Sequence, residues 1–149
     1  MIRPKTGVPA GDWLAAVEPV AAGAHGLWLT AAVVKGQRVV GSPFLLQWNG
    51  KSWRRGAGIP GSVFLEAMAQ DGHGGLWGYR TASPKNIPSL YHYSNGRWRE
   101  QRVPAVKGAT PELVALTWIP ETTAMLAGGE MILAGSNNGI VGDILQYGK

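Results

Sequence analysis

Short apolar runs broken by glycine-rich and asparagine-glycine turns set the rhythm of this chain. Residues 44–48, 89–93 and 98–103 are each rich in aromatic and aliphatic side chains and too short for a stable helix, so the pattern predicts strands. Asn49-Gly50 and Asn95-Gly96 each stand between two such runs. That dipeptide predicts a tight hairpin, because a type I′ turn needs positive φ at both central residues. Around Asn95-Gly96 the pattern resolves into four antiparallel strands at about 63–70, 75–81, 89–93 and 97–103, with no competing helical run.

The runs also repeat, and a missed repeat would misread the whole fold. Asp71-Gly72-His73-Gly74-Gly75-Leu76-Trp77 echoes Ala24-His25-Gly26-Leu27-Trp28. Downstream, Gln47-Trp48-Asn49-Gly50-Lys51-Ser52-Trp53-Arg54 matches His92-Tyr93-Ser94-Asn95-Gly96-Arg97-Trp98-Arg99, and the two units close on Ile59-Pro60 and Val103-Pro104. In a third, weaker copy Leu126 stands as far beyond Trp77 as Trp77 does beyond Trp28, and Ile144-Leu145-Gln146-Tyr147-Gly148-Lys149 resembles the segment from Leu45 to Gly50. The third copy lacks a closing aliphatic-proline pair, and Val8-Pro9 supplies one at the other end of the chain. The expected fold is therefore all-β, with the strand register offset so that an N-terminal strand completes the last unit.

Four antiparallel strands in about 45–50 residues is the plan of a β-propeller blade. The stretches Asp71 to Trp77 with Leu90 to Trp98, and Ala24 to Trp28 with Leu45 to Trp53, resemble kelch-type blades and the propeller repeat of two-component regulators. Ala24 and Leu126 depart from that pattern, the first in place of a second glycine and the second in place of tryptophan. The resemblance implies about three blades, near 13–60, 61–104 and 111–149 with 1–9. It implies non-catalytic recognition or scaffolding, in which rim loops present binding groups to a protein, peptide or carbohydrate. The longest expected loops, 34–42 and 82–88, carry Lys35, Arg38, Lys85 and Asn86, and this cationic rim would suit an anionic ligand. Two alternatives stand beside it: an enzyme, a hydrolase or lyase with acids at the channel mouth, and a part of a larger propeller. Closed propellers have about four to eight blades. Three blades predict self-association, a homodimer completing a six-bladed ring, or union with the rest of a larger propeller.

Composition supports a folded, turn-rich chain: 149 residues, 22 glycines, 45% hydrophobic and 15% charged. With no cysteine, a disulfide framework, a thiol nucleophile and a thiolate metal site are excluded. No apolar segment follows the early charges as in a signal peptide, and the run 19–34 is broken by glycines and a histidine, so the chain reads as soluble with no membrane partner. The net charge of +5 raises the question of nucleic acid. The basic residues are scattered, however, and the densest groups, Lys51/Arg54/Arg55 and Arg97/Arg99/Arg102, flank Trp53 and Trp98 in matching places. That distribution reads as charged strand edges that resist further pairing, and it argues against a nucleic-acid partner.

The residues with chemical potential read mainly as structural. His25 and His73 precede equivalent tryptophans, and a recurring turn explains both better than a shared metal; no metal and no cofactor is expected. His92 should project from its strand to the face opposite Tyr91 and Tyr93. Glu18 and Glu66 fall near one repeat apart, in the innermost strands, and could approach as the paired carboxylates of glycoside chemistry, which stand roughly 5–10 Å apart. Glu112 misses that register, so no ring of acids follows. Asp71 is expected to satisfy amides of its own turn. Five tryptophans, Trp28, Trp48, Trp53, Trp77 and Trp98, occupy repeat positions and should fill space between sheets; Trp13 and Trp118 fall outside them and are candidate stacking surfaces. Catalytic triads, phosphate loops and dinucleotide fingerprints are absent, and no catalytic residue is assigned.

Overall fold

The computed structural model describes residues 12–21, 26–62, 64–82, 87–103, 107–133 and 140–148. The chain is all-β. A first antiparallel meander runs through β1 (Trp13–Ala21), β2 (Leu27–Lys35), β3 (Arg38–Trp48) and β4 (Trp53–Gly58). A second comprises β5 (Ala67–Gln70), β6 (Leu76–Ala82), β7 (Ile87–Ser94) and β8 (Arg97–Arg102). A third holds β9 (Ala109–Trp118), β10 (Met125–Leu133) and β11 (Ile140–Tyr147). In each sheet the strands lie in chain order, so every neighbour is reached by one short connection. The chain divides into two compact units, Met1–Leu65 with the first sheet and Glu66–Lys149 with the other two. Among the described residues no helix is long and apolar enough to cross a membrane.

Local chemistry accounts for the hairpins. Asn95 and Gly96 take φ of 51° and 76° and are the two central residues of the β7–β8 turn, with Ser94 opposite Arg97. This is the expected type I′ connection. The corresponding β3–β4 turn differs from expectation by one residue. Trp48 pairs with Trp53, and the Asn49 amide donates to the Ser52 carbonyl at 3.2 Å, which leaves Gly50 and Lys51 at the centre. Only Gly50 has positive φ, at 88°, as a type II′ turn has. Asn49 instead closes the loop from outside: its Oδ1 accepts from the amides of Lys51 and Ser52 at 3.0 and 2.9 Å. Trp48 and Trp53 therefore correspond to Tyr93 and Trp98, while the two Asn-Gly pairs stand one position out of register.

The expected loop over 34–42 is a second correction. β2 and β3 continue through it, with Val33 opposite Val40, Val34 opposite Val39 and Lys35 opposite Arg38, leaving only Gly36 and Gln37 as the turn. The β-branched pairs favour the ladder, and Gly36 at φ 60° supplies the reversal. Gly41, at φ 75°, marks the bulge that shifts register between Ala31 and Val33. The first strand of the second sheet is shorter than expected and starts at Ala67. The N-terminal strand expected at Val8-Pro9 lies outside the described residues.

The sequence repeat is a repeat of strand position. Trp28, Trp77 and Leu126 are each the second residue of the second strand of their sheet, and they pair with Gln47, His92 and Gln146 respectively. Within the second unit one face of the second sheet packs on one face of the third. Trp77, Tyr79 and Leu90 meet Leu113, Met125 and Ala127, with Leu116, Leu145 and Tyr147 half-buried around them. Tyr79, Leu90 and Met125 are fully enclosed. Burying aromatic and aliphatic side chains of this size is worth about 1.5–3 kcal/mol each, so this contact is a main stabilising element of the unit. In the first unit Ala31, Phe44 and Leu46 form a cluster on the face opposite Trp28, bordered by Leu14, Leu29, Val33 and Trp53.

Candidate functional site

The densest group of polar chemistry lies in the turn between β5 and β6. Asp71 Oδ1 accepts from the amides of His73 and Gly75, each at 2.8 Å, and the Asp71 amide donates to the Gly75 carbonyl at 3.2 Å. Asp71 Oδ2 receives the Nε2 of His92 from β7 at 2.9 Å. The His92 ring stacks on Trp77, with centroids 4.3 Å apart and planes 12° from parallel. Gly75 is required for close approach: a Cβ there would run into the Tyr93 carbonyl and the Asp71 carboxylate. Trp118 covers the turn from β9, its ring lying where a side chain on Gly72 would stand, and its Nε1 donates to the Thr122 carbonyl at 2.7 Å.

Burial raises the Asp71 carboxyl. The hydrogen bonds from His92, His73 and Gly75 outweigh it and hold the group below its ordinary value. With Oδ1 shared by two amides and Oδ2 by an imidazole, this carboxylate is a fixed structural anion. His92 is committed on Nε2 and covered on one ring face by Trp77. The arrangement commits the Asp71 carboxylate and the Nε2 of His92 to shaping the turn.

A second polar network lies on the opposite face of the same sheet. Arg80 donates through Nε and Nη2 to the Tyr91 hydroxyl at 3.1 and 2.8 Å, and that hydroxyl donates to Glu100 Oε1 at 3.3 Å. Ser89 Oγ donates to the same oxygen at 2.8 Å. Sequence reasoning missed both this network and the Asp71–His92 bond. The period-two alternation of β7 places His92 on one face and Ser89, Tyr91 and Tyr93 on the other, and only cross-strand register assigns their partners.

The residues singled out from the sequence fall on several different elements. Glu66 is exposed just ahead of β5, its amide donating to the Tyr79 carbonyl at 2.7 Å; Glu18 is in β1, its side chain outside the described set. Glu112 stands in β9 directly opposite Glu130. His25 lies outside the described residues, and Trp13 is described only in its backbone. Trp28 and Trp77 are buried, whereas Trp48, Trp53 and Trp98 are half-buried. Among the described residues no group of three histidines or acids could hold a metal.

Lys35 and Arg38 face each other across the tip of the β2–β3 hairpin, both exposed. Lys85 and Asn86 lie outside the described residues. The hairpin has two further properties. Val39 and Val40, adjacent and therefore on opposite faces, are 51% and 48% exposed. β4 accompanies β3 only as far as Phe44, opposite Gly58, so along 38–40 the described residues place no strand on the far side of β3. The segment 34–42 contains two cations and no acid. No family model matches the chain, and neither the curated proteins nor the solved structures contain a significant match.

Proposed function

We propose that the chain is a non-catalytic binding module built from propeller-type blades, and that it recognises an extended, acidic segment of a protein or peptide at the β2–β3 hairpin. The observation that carries this reading is the exposed hairpin itself. It combines Lys35 and Arg38 at the tip, valines open on both faces and a strand flank without a neighbour among the described residues. An extended segment can add to such a flank through main-chain hydrogen bonds, while alternate side chains meet the two faces. The cations select acids and speed encounter. The blade reading draws support from the repeated meander and from the recurrence of Trp28, Trp77 and Leu126 at one strand position. The enclosure of Asp71 within its own turn favours recognition over chemistry.

Fluorescence anisotropy with a labelled peptide of alternating glutamate and valine tests this, with a lysine-valine peptide as comparison. Saturable binding of the acidic peptide that weakens with salt and disappears in the double variant Lys35→Glu, Arg38→Glu is expected. Equal binding of the two peptides, or unchanged binding by the variant, would overturn the reading.

A further inference from the structure

We infer that the chain also takes a second copy of itself as an acidic partner, docking head to tail with the outer face of the third sheet against the cationic face of the first. The inference rests on the reading above only in taking Lys35 and Arg38 as acceptors of acidic groups. Its ground is the repeat of strand position. In the second sheet the face bearing Trp77 packs on the third-sheet face that carries Met125 and Ala127. Leu126 is the counterpart of Trp77, so the third-sheet face bearing Leu126 is the repeat equivalent of a face that takes a neighbouring sheet. It is open. By register and alternation it carries Ile132 and Ile144, which are 43% and 75% exposed, and Val114 at the adjoining bulge is 67% exposed. Apolar side chains gathered on one sheet face at this exposure mark an association surface.

The first sheet offers the complement. Its face opposite Trp28 corresponds in strand position to the face with Met125 and Ala127. Half-buried Leu29, Val33 and Trp53 lie there over the Phe44 cluster. The charges of the two faces match. The outer third-sheet face carries Glu112 and Glu130, directly opposed across β9 and β10, and no lysine or arginine. Two like charges in that position are destabilising until a cation joins them. The first-sheet face carries Lys35, Arg38 and Arg55, whose guanidinium lies 3.8 Å over the Phe44 ring, against Asp12 just ahead of β1 among its described acids, so positive charge prevails there. The contact is heterologous, since each copy gives one face and receives on the other. Two chains supply six sheets, within the range of about four to eight blades that closed propellers use.

Light scattering on the purified chain, with Ile144→Glu and Arg55→Glu variants checked for native circular dichroism, tests the contact. Wild type is expected at twice 15.8 kDa or more. Each variant alone should run as a monomer, because it spoils one of the two faces on every copy. Mixing the two variants should restore a dimer through the one intact pair of faces. A monomeric wild type, association unchanged in either variant, or a mixture that stays monomeric would overturn the inference. The glutamate-valine peptide separates the two levels: its binding by monomeric Ile144→Glu upholds the recognition surface, and binding by a wild type that never self-associates sinks the head-to-tail contact alone.

Discussion

Asp71 and His92 are joined by a 2.9 Å bond between Oδ2 and Nε2, with the carboxylate buried in its turn and the imidazole laid flat on Trp77. The pair ties the β5–β6 turn to the third strand of the sheet.

That bond predicts an acid-sensitive component of stability. The folded carboxyl lies below its ordinary value of 3.8, so its contribution is present above that pH and is lost as pH falls through the lower folded value. Asp71→Asn should lose about 1.5–3 kcal/mol near neutrality, the range for hydrogen bonds to a charged group. The variant should also show a shallower loss of stability below pH 3.8 than wild type. Urea titrations from neutrality into that acid range check both outcomes.

Tyr147 predicts the opposite limb. Burial, with the Asp143 charge beside it, pushes its phenol up to about 12. The unfolded chain ionises near 10.0, so stability is intact below that pH and falls as pH rises from there toward 12. Tyr147→Phe should flatten this alkaline loss. Near neutrality it should be neutral or slightly stabilising, since the hydroxyl is buried without a hydrogen-bond partner among the described residues. Thermal melts at neutral and alkaline pH decide.

Trp77→Ala should cost about 3–5 kcal/mol, the range for truncating a large buried aromatic. It removes both the contact between the second and third sheets and the platform under His92. Trp48→Ala, at a half-buried position, should cost clearly less. Equal midpoints in parallel urea titrations would contradict the packing described.

The two hairpin glycines make a paired test. Gly50→Val and Gly96→Val each put a β-branched residue at positive φ, 88° and 76°, and each should cost about 1–3 kcal/mol. Asn49→Ala should add a smaller loss at the first turn only, because there the side chain, and not its φ, closes the loop. Denaturant midpoints of the three variants measure the order.

The strands were readable where turn chemistry and side-chain pattern agree. Asn95-Gly96 sits at the centre of its turn, and the flanking runs fall where expected. Asn49-Gly50 misled by one position because Ser52 extends the loop on the far side and lets Asn49 serve as its cap. Segment 34–42 looked like a loop because Gly36, Gln37, Gly41 and Ser42 are turn residues, yet Val39 and Val40 find β-branched partners in β2. Of the four rim residues named from the sequence, Lys35 and Arg38 come together at a hairpin tip rather than on a loop. The Asp71–His92 bond was not readable, because it depends on the register of β7 beside β6, and no turn signal sets that register.

The recurrence of one strand position in all three sheets has an evolutionary consequence. Each sheet has two unlike sides, one of the Trp77 kind and one of the Met125 kind. A gene encoding such sheets can gain or lose a whole copy by unequal crossing-over, and the surfaces brought together at the new junction are ones that already fit. Substitution can then act on copies that fold from the outset, and a position such as 126 can hold leucine where 28 and 77 hold tryptophan.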